Sequence, residues 1–209
     1  MKENQKPIYS RNVVEFVAVA NEFCKYVERA NELTGDDLLK ILQRILPLMY
    51  IKASLLPALQ PYFEEDNEKF VTEDQWERIK SLLSGKFGTA DDYLEIFDIK
   101  AADAEGAIVA SISENMADIY QDIKDFLLLY QIGNQEVMND AVWECKLNFE
   151  NYWGQKLVNS LRAIHNYIYS GEDISAVEKE IISDEERDTS NWFMAKRQND
   201  FQKHGEDKV

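Results

Sequence analysis

Carboxylates supply the first chemical possibility in this 209-residue chain. Glu114, Asp118, Asp122 and Asp125 recur at helical spacing inside AIVASISENMADIYQDIKDFLLLYQ, residues 107–131. At about 100° per residue they fall within an arc of roughly 80°, and no basic residue interrupts it. Oxygens aligned in this way suit a hard cation such as Mg²⁺, and Glu114, Asp118 and Asp122 would then serve a Mg-dependent nucleotide phosphohydrolase. The competing reading is a solvated face or a seam, neutralised by Lys52, Lys146, Lys156 or Arg162 of neighbouring helices. Metal cages draw ligands from several elements while charged helical faces are common, so the seam is preferred. A carboxylate opposite Asp118 and Asp122 would favour metal, and a Lys or Arg opposite would favour the seam.

Other constellations fail on spacing or context. All-helical nucleotide pyrophosphohydrolases use Glu-Glu-x-x-Glu followed by Glu-x-x-Asp. The letters occur as Glu64, Glu65 and Glu68, then Glu95 and Asp98, but the first set follows Pro61 in a connector with no helix to align it. Di-iron bundles need Glu-x-x-His, and neither His165 nor His204 has that Glu. Arg162 and His165 stand too close together for the Arg and His of HEPN-type ribonucleases. Clustered zinc ligands, a phosphate loop and a nucleophile elbow are absent from the sequence. His165 lies beside an apolar arc and reads as a satisfied structural histidine.

Two features point to binding instead. Lys146 and Glu150 fall inside the apolar arc of the last long helix, beside Trp143, Phe149 and Trp153. Charges there need a polar pocket or a partner, unless the helix shifts phase at Gly154 and returns them to solvent. Trp192, Phe193 and Met194, followed by Lys196 and Arg197, form either a docking motif or a segment that folds back on its own bundle. The candidate binding residues are therefore Glu114, Asp118, Asp122, Asp125, Lys146, Glu150, Trp153, Lys156, Arg162 and His165. No metal and no cofactor is assigned.

These side chains must be positioned by helices. The organising helix spans 107–131, with Ile108, Ile112, Met116, Ile119, Ile123, Phe126, Leu127 and Tyr130 on its core face. A first helix over Tyr9–Leu33, with Ser10 as a cap, ends at Gly35, and Asp36 or Asp37 caps the second. That second helix is apolar nearly all round after Arg44, which places it centrally, and Pro47 should kink or divide it. An acidic connector over 61–71 leads to a third helix opened by Thr72 with Gln75 at the capping-box position and ended by Gly85. Residues 91–99 make a short apolar element of undecided type. Asn134 or Asn139 opens the last long helix, which runs to about Tyr169. Gly154 interrupts it, as expected where a neighbouring helix comes close.

Composition bounds the rest. With 45% hydrophobic residues, eight Gly and four Pro, the chain suits an all-α class, one helical bundle of about five or six helices. The bundle spans 8–182, and a polar, partly disordered tail spans 183–209. Acidic side chains outnumber basic ones 39 to 23, a formal charge of −16. Such a surface repels phosphate backbones and anionic membranes and favours a basic protein partner, self-association being the alternative. Cys24 and Cys145 sit singly among apolar residues, the N-terminus has no apolar leader, and Ile45–Ile51 is too short to span a bilayer. A soluble, cytoplasmic interaction or adaptor module is the expectation.

Five blocks add a resemblance. IYSRNVVEFVAVANEFC (8–24), LPLMYIKASLLP (46–57), DDYLEIF (91–97), ISENMADIYQDIKDF (112–126) and NFENYWGQKLVNSLRAIH (148–165) are similar, in this order, to an uncharacterised bacterial family. That family is known only as domain of unknown function 5063. The likeness covers about residues 8–170 and implies a cytoplasmic helical protein, with no reaction, ligand or site.

Overall fold

Apolar residues three and four apart bury one stripe per helix, and the computed structural model assembles those stripes into a helical bundle. It describes residues 6–95 and 108–170. Helix α1 (Arg11–Glu28) lies between short 3-10 turns at Pro7–Tyr9 and Ala30–Glu32, and is followed by α2 (Gly35–Ser54) and α3 (Glu73–Phe87). Strands β1 (Asp92–Glu95) and β2 (Ile108–Ser111) pair antiparallel. Then come α4 (Ile112–Gln131), α5 (Gln135–Asn148), a π turn (Phe149–Trp153) and α6 (Gly154–Ser170). Counted as one rod, α5, the π turn and α6 make five helices among the described residues; split, they make six. The fold is all-α with one small ribbon. No helix among the described residues is long and apolar enough to cross a membrane.

Helix α4 is the centre. It packs against α1, α3, α5 and α6, and Ile119, Ile123 and Phe126 meet a core that includes Phe16, Phe23, Leu46, Met49, Trp153 and Leu157. The expectation that α2 would be central is corrected: it lies against α1 and α6 and leaves Leu48, Tyr50, Ile51 and Leu55 exposed. Pro47 does not divide α2, which runs unbroken through it. Both cysteines are free and buried.

Several boundaries move for local reasons. Residues 108–111 are strand, not the first turn of α4, because Ser111 takes the extended N-cap position and accepts from Glu114 N–H. Thr34, rather than Asp36 or Asp37, caps α2, and Gly35 is its first residue. The Thr72–Gln75 capping box forms as read. Helix α3 passes through Gly85 and ends at Gly88, whose φ of 54° lies in the region that glycine tolerates best. Asp98 and the tail with Trp192, Phe193 and Met194 fall outside the described residues.

Candidate functional site

The four carboxylates of α4 share a face, and no two of them share a partner. Glu114 pairs with Lys80 at 3.1 Å. Asp118 accepts from Trp76 Nε1 at 2.9 Å and from Lys156 Nζ at 2.7 Å. Asp122 accepts from Asn148 Nδ2 at 2.7 Å, and burial pushes its carboxyl up to about 6. Asp125, 2% exposed, accepts from the backbone N–H groups of Phe70 and Val71, both at 2.9 Å. Burial raises its pKa even against those two bonds.

A cation stands opposite Asp118, as the seam reading requires, and a neutral amide stands opposite Asp122. Among the described residues no three His, Cys, Asp or Glu side chains group where they could hold a metal ion. Desolvation works to lower the Lys156 pKa, but the hydrogen bond and charge of Asp118 outweigh it and the net direction is upward.

A polar network extends from that pair into the bundle. Lys156 Nζ lies 3.5 Å from Asn115 Oδ1 and 5.0 Å from the centre of the Tyr152 ring. Asn115 Nδ2 donates to Tyr93 Oη at 2.6 Å and to Ser160 Oγ at 3.1 Å. Asn159 Nδ2 donates to Glu95 from the next turn of α6. The chain Trp76–Asp118–Lys156–Asn115–Tyr93 thus ties α3, α4, α6 and β1 together. Each member satisfies its neighbour, as buried polar groups must.

Sequence reasoning missed Trp76, Asn115, Tyr93 and Ser160. A signal existed for two of them. Asn115 is three residues after Ile112 and four before Ile119, and Ser160 stands between Leu157 and Ile164, so both are polar letters on apolar stripes.

The remaining candidates disperse. Lys146 Nζ donates to Leu56 O at 2.7 Å, closing the C-terminal end of α2, where a cation is favoured. Glu150 is exposed and 3.9 Å from Lys146. Arg162 Nη2 donates to Leu94 O at 2.9 Å. Trp153 is fully buried, its ring 4.8 Å from Phe149 and 6.5 Å from Phe16. His165 is exposed and rests on Tyr169 at 4.7 Å, which corrects its reading as a structural histidine. Lys52 pairs with Glu15 rather than with α4.

The acidic connector is strapped down by carboxylates. Asp140 accepts from the N–H groups of Tyr62 and Phe63 at 2.7 and 2.9 Å, and Glu144 binds Asn67 and Lys69. Glu64, Glu65 and Glu68 point to solvent.

Two surface features among the described residues bear on binding. Leu48, Ile51 and Leu55 fall within about 60° of one another on α2 by helical phase, at 49, 53 and 47% exposure, while Tyr50 lies round the helix against Phe149, ring centres 5.1 Å apart. A groove of about 390 Å³ separates β1 from α6.

The model of the family described as Domain of unknown function (DUF5063) matches residues 7–170, in line with the likeness over about residues 8–170. Among solved structures, the crystal structure of protein BF1032 from Bacteroides fragilis, a structural-genomics target, is 42% identical with a TM-score of 0.72. The match covers 80% of this chain and 98% of that one. No curated protein matches.

Proposed function

This chain belongs to the DUF5063 family, a domain of unknown function, and on that premise we propose that it is an interaction module docking a basic protein partner on the outer face of α2. The observation that carries this reading is the row of Leu48, Ile51 and Leu55, left 47–53% exposed on one face of one helix. Single exposed apolar residues are ordinary, but a contiguous row on a structured helix is the surface that a partner buries. Covering such side chains completely contributes about 1.5–3 kcal/mol each, before the costs of association. The excess of 39 acidic over 23 basic side chains supports a partner of opposite charge. Binding is favoured over turnover because the α4 carboxylates and Lys156 are engaged with one another and with backbone groups.

Replacing Leu48, Ile51 and Leu55 together by Ser tests the reading. All three are half in solvent, so the variant should melt within a few degrees of the unaltered protein. Crosslinking from cell extract, followed by reconstitution with the purified partner, should show that the variant loses the complex. Equal capture by both proteins, with both sedimenting strictly as monomers, would refute the proposal.

A further inference from the structure

Among the described residues strand β1 pairs with β2 on one edge, and on the other only the carbonyl of Leu94 is taken, by Arg162. The strand register sets Asp92 against Ser111, Tyr93 against Ala110, Leu94 against Val109 and Glu95 against Ile108. One step earlier, Ile112 N–H donates to Asp91 O at 2.8 Å. Hydrogen-bonded pairs alternate along an antiparallel ladder. Residues 91, 93 and 95 therefore turn their backbone groups toward β2, while Asp92 and Leu94 turn theirs away. Arg162 reports the same phase from outside, since its guanidinium reaches Leu94 O at 2.9 Å. The outward N–H of Leu94 and both backbone groups of Asp92 take no partner among the described residues.

That edge borders the groove between β1 and α6, whose lining includes Thr89, Asp92, Tyr93, Leu94, Arg162 and Asn166. Among the described residues Asp92 and Arg162 are the charged ones that line it. Arg162 stands at Leu94, two residues along from Asp92, which is one same-face step of about 7 Å.

We propose that this groove takes an extended peptide as a third strand beside β1, one with a cation and a carboxylate two residues apart. The cation faces Asp92, and the carboxylate draws the Arg162 guanidinium off Leu94 O, which then accepts a backbone N–H of the peptide. Backbone pairing along a strand edge supplies affinity in such sites, and the alternate side chains supply selectivity. The mixed charge follows from the two lining groups and from the net charge of −16, which disfavours a purely acidic segment. These residues do not overlap the α2 row, so the two proposals stand or fall separately.

The test titrates the ¹⁵N-labelled full chain with two acetylated pentapeptides, Val-Lys-Thr-Glu-Val and its reversed order, covering both strand directions. One of the two should shift the Asp92 and Leu94 amide signals and slow exchange of the Leu94 amide. Arg162→Gln, which keeps a donor near Leu94 O, should weaken that peptide by about tenfold, the loss of a charge-assisted contact. Leu94→Pro removes an outward N–H that β2 does not use, a place where an edge strand tolerates Pro, and should abolish binding. No shift at Asp92 and Leu94 with either peptide at millimolar concentration would overturn the proposal. So would equal affinity in Arg162→Gln, a surface variant whose folding does not depend on the strand.

Discussion

Asp122 concentrates the electrostatic cost of the α4 seam. Burial raises its carboxyl to about 6, while Asn148 and Lys69 pull the other way and Glu144 and Asp125 push it further up. A pKa raised by folding means that the folded protein holds the proton more tightly than the unfolded chain does. The stabilising contribution is complete below the unfolded value near 4 and is lost as pH rises through about 6. Asp122→Asn removes that titration and keeps a polar partner for Asn148. The variant should therefore gain on the unaltered protein between pH 5 and pH 8, by on the order of 1 kcal/mol. Urea denaturation at the two pH values measures the gap, and a constant difference would contradict the account. At this scale the sequence shows which face the carboxylates share, because helical phase is local. It offers Lys156 only as one of four cations and gives no sign of Trp76 or Asn148, because these partners reach the stripe from α6, α3 and α5.

Between elements, the informative residue is Gly154. A glycine inside a helix ordinarily costs about 1 kcal/mol against Ala, so Gly→Ala should stabilise. Here an added Cβ would lie 2.3 Å from Phe149 O and 3.0 Å from the Phe149 ring. The close approach comes from the chain's own π turn and not from a neighbouring helix. Gly154→Ala should thus destabilise by about 1–3 kcal/mol, the usual cost of forced overlap, and a melting curve gives the sign. A higher melting temperature would show that the turn relaxes to α geometry at little cost. The π turn did leave a trace in the sequence. Cys145, Phe149, Trp153 and Leu157 are all buried at successive spacings of four, which on an ideal α-helix would drift about 40° per step. One extra residue in the turn absorbs that drift. The same phase change explains why Glu150 leaves the apolar arc in which its spacing places it, whereas Lys146, before the turn, stays half-buried and finds the carbonyl of Leu56. The ribbon was less legible, since two strands of four residues carry too little alternation to separate them from helix termini.

For the whole molecule, composition alone argues the helical class, and periodicity finds most of its stripes. It ranks α2 wrongly because an apolar circumference is as consistent with a face awaiting a partner as with burial inside one chain. Charge distinguishes the kinds of partner. At −16, like charges repel across a surface where screening acts over about 10 Å at 0.1 M salt. Moving from low salt to physiological ionic strength should raise the melting temperature of the isolated chain, since screening relieves that repulsion. A basic protein seated on the α2 row should respond in the opposite sense, losing affinity as salt rises, chiefly through slower association. A second copy of the chain would associate more readily in salt, because the apolar row gains while the repulsion fades. Calorimetry of the complex across a NaCl series, beside sedimentation of the protein alone, separates the two. Affinity that increases with salt would replace the basic partner with self-association, whereas affinity that decreases while the isolated protein becomes more stable is the outcome that the charge and the exposed row together require.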